Sequence, residues 1–309
     1  MSASLDAPAR AAAGGAMARL PSWQLFAVCV LVWGTTWHAI TYQIGVTPPD
    51  VGVALRFAIA GAVVLAFCAW RGVPLACPPR AHALLALQGV FMYGLAYVSV
   101  YEAERHLPSG LVAVGYSASP LISGVAARLL FGVPVTRVFL GGGLLGLAGV
   151  ALMFWPEFGR AASEASVALG AAFTVAAVLL SSVGSLAASR NRAQGLSFWP
   201  ALGFGMLYGA VAAGVVAALQ GHGLAWTSQP AWWISLGYLA LAGSVLTFAC
   251  YLTLQDRLGP GPSGAIGVMT PLLALAVSMA FEGFRPDVLT AVGAALAVGG
   301  NWLMLRPRR

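Results

Sequence analysis

Ten stretches of about twenty apolar residues follow one another along this chain, and no other feature limits its fold as much. A hydrocarbon layer about 30 Å thick is crossed by about twenty residues rising 1.5 Å each. A backbone in lipid must pair its own polar groups, so each stretch reads as a helix. The expected spans are 23–43, 51–70, 83–103, 107–131, 138–155, 167–188, 198–219, 232–254, 261–281 and 288–305. Turn formers and charges stand between them, as in Thr47-Pro48-Pro49-Asp50, Arg71-Gly72-Val73-Pro74, Gly132-Val133-Pro134 and Arg285-Pro286-Asp287. Only 8% of the 309 residues are charged, against roughly 25% in soluble domains, so no water-facing surface can be assembled from them. Soluble enzymes and secreted scaffolds are excluded. The expected fold is all-α and polytopic, solvated by the lipid bilayer.

The sixteen basic residues are all arginine, and no basic run lies beside stacking aromatics, so they argue for membrane orientation and against nucleic acid. With the amino terminus in the cytoplasm, twelve arginines fall inside: Arg10, Arg19, Arg71, Arg80, Arg128, Arg137, Arg190, Arg192, Arg257, Arg306, Arg308 and Arg309. Only Arg56, Arg105, Arg160 and Arg285 fall outside. Nine or eleven spans would scramble this alternation, so both termini are expected in the cytoplasm. Residues 1–22 are Ala-rich and polar without a cleavable signal pattern, and read as a cytoplasmic tail. The abundance of Ala, Gly and Arg without lysine suits a bacterial inner membrane protein from a G·C-rich genome.

Sliding the chain by 151 residues superposes 120–156 on 271–307 with nine identities, among them Pro120 on Pro271, Gly132 on Gly283, Gly142 on Gly293 and Gly149 on Gly300. Two halves of five spans follow, 23–156 and 157–309. An odd number of spans makes the second half enter from the opposite side, so the repeats are inverted. Such halves can open to either side around a site near the midplane, which points to a carrier.

The stretch Tyr101-Glu102-Ala103-Glu104-Arg105-His106-Leu107-Pro108-Ser109-Gly110, with Pro120 and the Gly142/Gly146/Gly149 pattern, resembles the third to fifth spans of the EamA branch of the drug/metabolite transporter superfamily. Trp33-Gly34-Thr35-Thr36-Trp37 and Arg56-Phe57 are similar to that family's first and second spans. The resemblance covers about 23–306. It implies ten helices in two inverted halves and passage of small metabolites, often export of amino acids. Two positions depart from the pattern: Val133 stands where the family usually has a glutamate, and Glu282 precedes Gly283 instead of following it.

Fourteen residues are expected to line a substrate site. Pro120 and Pro271 each remove a backbone donor midway along a helix and free a carbonyl. Ser119 and Thr270 precede them. Tyr93 and Tyr97 share a helix stripe with Tyr101, and Trp33 and Trp37 share another, with Thr36 and His38 beside them. Ser182, Ser185, Ser244 and Thr247 add uncharged hydrogen-bonding groups at matching depth. An interfacial aromatic belt accounts for Tyr101, Trp155, Trp199, Trp232 and Trp233.

Arg56, Glu102, Arg128, Asp256 and Glu282 all fall near span ends, so the interior is expected to hold no fixed charge, and strong ion coupling is not expected. His38 is the alternative proton site. Cys29, Cys68 and Cys250 read as small core hydrophobes, and neither cysteines nor histidines are spaced for a metal, so no cofactor is expected. Paired acids, His clusters and HExxH are missing, which argues against an integral-membrane enzyme. The expectation is a monomeric carrier that moves small neutral or zwitterionic metabolites outward, amino acids foremost.

Overall fold

A computed structural model describes residues 20–132, 134–160, 164–223, 227–258 and 266–305. Residues 1–19 of the expected tail, Val133, 261–265 of the expected ninth span and Arg306 to Arg309 lie outside the described residues.

Helices α1 (Ser22–Thr41), α2 (Pro49–Trp70) and α3 (Pro79–Glu104) come first. Then α4 runs as Ser109–Tyr116 and Ser119–Phe131, followed by α5 (Arg137–Arg160), α6 (Glu164–Ala193) and α7 (Phe198–Leu219). The last are α8 (Pro230–Gly237, Tyr238–Leu246 and Thr247–Leu258), α9 (Ile266–Phe281) and α10 (Val288–Leu305). The first eight are long and apolar enough to cross a membrane, and α9 and α10 are shorter apolar helices. Leu20 and Leu305 lie at one end, called terminal here; the opposite end is distal.

Two glycine contacts display the inversion. A Cβ on Gly142 would stand 2.7 Å from Gly300 O, and one on Gly149 would stand 2.4 Å from Gly293 O. The 151-residue shift turns Gly142 into Gly293 and Gly149 into Gly300, so it exchanges these two contacts. Only a two-fold relation between antiparallel α5 and α10 gives a seam that is its own image. Backbone approaches this close need glycine at the small-xxx-small positions. Gly132 and Gly283, also related by the shift, end α4 and α9 with the same left-handed φ of 68°.

The prolines at equivalent places are resolved differently. Span 107–131 is not one helix: it breaks at Ser117 and Ala118, just ahead of Pro120. Without an N–H at Pro120, Tyr116 O loses its helical donor, and the Ser119 hydroxyl donates to it instead. Pro271 lies inside an unbroken α9.

Two π-helical segments interrupt α3 at Gly89–Leu95 and α8 at Tyr238–Leu246. They are repeat partners, since residues 89–95 shift onto 240–246. A π turn drops one carbonyl from the helical ladder and is found most often at functional sites. Gly243 O is taken by Trp33 Nε1 at 3.1 Å, which ties α1 to the second segment. The first segment lies flush on α7, where a Cβ on Gly89 would stand 2.2 Å from Gly205 O.

The aromatic belt is narrower than expected. Trp155 is 73% exposed, but Tyr101 and Trp232 are buried, and Trp232 Nε1 donates to Thr47 Oγ1 at 3.0 Å. Both turn into the bundle, Trp232 with its N–H satisfied and Tyr101 with its hydroxyl buried and unpartnered, so depth alone misread them.

Candidate functional site

A cavity of about 230 Å³ opens between α3, α6, α7 and α8. At ~30 Å³ per water it has room for about eight waters, a small-metabolite scale. Gln88, Met92 and Tyr93 come from α3, Ser185 and Asn191 from α6, Phe198 and Leu202 from α7, and Phe248 and Tyr251 from α8. Asn191 Nδ2 donates to Gln88 Oε1 at 2.8 Å near the terminal end, leaving Asn191 Oδ1 buried without a partner. The inner wall is aromatic. Tyr93 packs on Phe57 and Phe248 with ring centroids 5.3 and 6.1 Å apart.

Behind that wall lies Arg56, 1% exposed. It is the eighth residue of the 22-residue α2, about 10 Å along the axis. Its Nε donates to Ser244 Oγ at 3.3 Å, and its guanidinium carbon lies 4.6 Å from the Tyr97 ring centre, a cation–π contact. Ser244 in turn donates to Leu239 O inside the π segment. Arg56 Nη1 and both carboxylate oxygens of Glu104 are buried without hydrogen-bond partners. The interior therefore holds fixed charge, contrary to expectation. The expected start at residue 51 made Arg56 an end residue, but α2 begins at Pro49 and the long side chain runs inward.

At the distal end polar ties join the two halves. Glu282 is their hub: Ser109 N donates to its Oε2 at 3.0 Å, Ser278 Oγ donates at 2.8 Å, Ser109 Oγ donates to Oε1, and His38 Nδ1 stands 2.9 Å from Oε1. Pro108 offers no side-chain cap to α4, so the Glu282 carboxylate satisfies that helix N-terminus from the other half. Burial pushes the Glu282 carboxyl up, but the hydrogen bonds from Ser109, His38 and Ser278 outweigh it and hold the group below the usual carboxylate range. His222 Nδ1 lies 2.9 Å from Asp50 Oδ2, and His106 Nδ1 lies 3.0 Å from Ser166 Oγ.

Of the expected site residues, the structure places Tyr93 and Ser185 on the cavity wall. Tyr97 and Ser244 hold Arg56 instead. Trp33 stands one layer back, its ring 5.4 Å from those of Phe248 and Tyr251. Thr36 bonds to Trp33 O, Thr247 to Ala242 O and Ser182 to Val178 O, each within its own helix. Trp37 packs on Tyr116 between two core clusters, and His38 belongs to the distal tie. Ser119 serves the α4 break, Pro120 is exposed on the outer surface, and Thr270 and Pro271 are buried in α9. Gln88, Asn191, Arg56 and Glu104 were missed. Each lies toward a span end, where polar residues look like loop edges; the pairing of Arg56-Phe57 was the one visible signal.

A seam that maps onto itself under the inverted repeat, twin π segments and a one-ended cavity define a recognisable helix bundle. The profile of the EamA-like transporter family matches residues 21–155 and 168–306, one match per half. This chain belongs to that family. It is a multi-pass membrane transporter and not an enzyme. It is similar to the uncharacterized inner membrane transporter YedA of Escherichia coli (strain K12), 27% identical over 273 residues, covering 85% of this chain and 84% of YedA. It is also similar to a probable terminal-alkyne amino-acid exporter of Streptantibioticus cattleyicolor, 27% identical over 288 residues, covering 92% of this chain and 93% of that one. A crystal structure shares the fold with a TM-score of 0.66 at 22% identity, over 92% of this chain and 96% of that chain.

Proposed function

We propose that this EamA-family transporter moves small neutral or zwitterionic metabolites, amino acids foremost, outward across a bacterial inner membrane by alternating access. The observation that carries the reading is the contrast between a distal end tied by Glu282, His38 and Ser109 and a cavity of about 230 Å³ toward the terminal end. A site reachable from one side at a time is what a carrier needs and a channel does not. Repeats 23–156 and 157–309 act as the two moving halves of a monomer, with both termini and the tail 1–22 in the cytoplasm. The amino-acid exporter among its relatives supports the substrate class.

The test is reconstitution into liposomes preloaded with single amino acids, with and without imposed pH or sodium gradients. Saturable counterflow of an amino acid is the expected result; unsaturable flux would make the protein a channel, and no flux in any arm would remove the reading. The expectation of uncoupled transport rested on a charge-free interior, which Arg56 and Glu104 contradict. A second reading, proton coupling through His38, is favoured by its position 2.9 Å from Glu282 and predicts accumulation driven by the pH gradient alone.

A further inference from the structure

Two buried ionisable groups of opposite type, Arg56 and Glu104, lie in this interior without bonding to each other. Arg56 and Glu104 are 1% and 8% exposed and lie within electrostatic reach of one another. Yet Arg56 Nη1 and both Glu104 oxygens have no hydrogen-bond partner. Leaving an acid and a guanidinium buried without hydrogen-bond partners costs free energy, which a ligand supplying both partners would recover.

The surroundings hold the guanidinium in place rather than neutralise it. Ser244 takes Nε, the Tyr97 ring lies against one face, and Tyr101 adjoins the group. A planar fork pinned on one edge offers its remaining N–H groups to a carboxylate. A plain anion would also meet Glu104, with Glu282 within electrostatic reach of that carboxylate, and a plain amine would meet Arg56. Only a ligand carrying both signs answers both.

We propose that Arg56 and Glu104 together form the recognition site for a zwitterion, the guanidinium taking its carboxylate and the Glu104 carboxylate taking its ammonium. This rests on the carrier reading above and names the residues that select its substrate. The ligand reaches the pair from the cavity when the Tyr93, Phe57 and Phe248 layer parts. Ser244 lies within one π segment and Tyr97 just beyond the other, so the groups that hold Arg56 sit where the helical hydrogen-bond register already changes.

The experiment uses the full chain in liposomes and six probes: leucine and phenylalanine, each with its amide, which lacks the carboxylate, and with the matching acid that lacks the amino group. The wild type is expected to prefer each zwitterion over both analogues by at least about tenfold in competition for counterflow. Arg56→Gln should abolish the preference over the amide, and Glu104→Gln should abolish the preference over the deaminated acid. A merely structural role would weaken all probes alike and leave the ratios unchanged, which would overturn the proposal while the carrier reading stood. If Arg56→Gln does not fold, the near-isosteric Glu104→Gln and the Arg56→Lys variant decide by the same ratios. Wild-type protein that moves none of the six probes would overturn the amino-acid reading and this proposal together.

Discussion

The two ends of this bundle are built from related halves, yet one is tied and the other is hollow. At the distal end Glu282 joins α9 to α1 and α4, Asp50 meets His222, and Thr47 meets Trp232, each link running from one half to the other. At the terminal end the link Asn191 to Gln88 also crosses between halves, but it lines a cavity instead of sealing it. Inverted repeats make the two backbones alike, so the difference lies in side chains. The 151-residue partner of Glu282 is Phe131, which can supply no such hub. A symmetric frame with an asymmetric set of polar ties is held more tightly at one end than at the other.

That comparison needs the halves to meet at a rigid seam, and breaking the seam should have the largest effect. Gly149→Leu drives a side chain into Gly293 O, where even a Cβ would stand 2.4 Å away, and should cost more than about 3 kcal/mol. Gly141 has nothing within 4 Å of a built Cβ, so Gly141→Leu on the same helix should keep near-normal yield. Monodisperse yield and melting temperature in detergent read both; equal loss in the two variants would remove the seam argument.

Filling the hollow end comes next. Ala188 lines the cavity, and Ala188→Trp should occupy much of its 230 Å³, lowering counterflow more than about tenfold with the melting temperature retained. Undiminished transport would show that substrate passes elsewhere.

Untying the distal end is smaller in energy but sharper in meaning. Glu282→Gln keeps the shape and removes the charge that four hydrogen-bond contacts serve. A cysteine placed at the buried Ser235 should then react with a membrane-impermeant thiol reagent about tenfold faster. Glu282 is held below the usual carboxylate range, so its contribution is present at neutral pH and is lost as pH falls through that lowered value. Accessibility of the Ser235→Cys thiol should therefore rise as pH falls through that value with Glu282 present and stay flat in Glu282→Gln; identical profiles would sink the hub.

The smallest expected effect concerns Trp33. It stands behind the cavity wall and donates to Gly243 O, so Trp33→Phe loses one hydrogen bond, about 1 kcal/mol, and changes transport by less than about threefold. A complete loss of transport by a stable Trp33→Phe protein would return Trp33 to the substrate site.

Much of the frame could be read before any coordinates. The spans, the odd number per half and the pairing of Gly142 with the Gly293 repeat came from pattern alone. Tyr93 and Ser185 were placed on the cavity, whereas Tyr97 and Ser244 proved to grip a charge that had been assigned to a helix end. Trp33, Thr36 and Thr247 were assigned by depth, and depth does not say which face of a helix turns toward a neighbour. The unlike fates of Pro120 and Pro271 show the same limit, since one hydroxyl beside the proline follows a break and the other sits in an unbroken helix.

What the sequence determined by itself was how many helices the chain forms and that they fall into two related halves. Those depend on hydrocarbon thickness, on backbone groups that must pair within their own segment, and on charge at the breaks, all of which are local and additive. Tertiary structure alone decided that Glu282 meets His38 across 244 residues, that Arg56 ends beside Ser244 across 188, and that the hollow lies at one end. Each of these follows from how distant helices rotate and pack against one another, and in lipid that choice is made by shape and a few polar contacts, which no single segment contains.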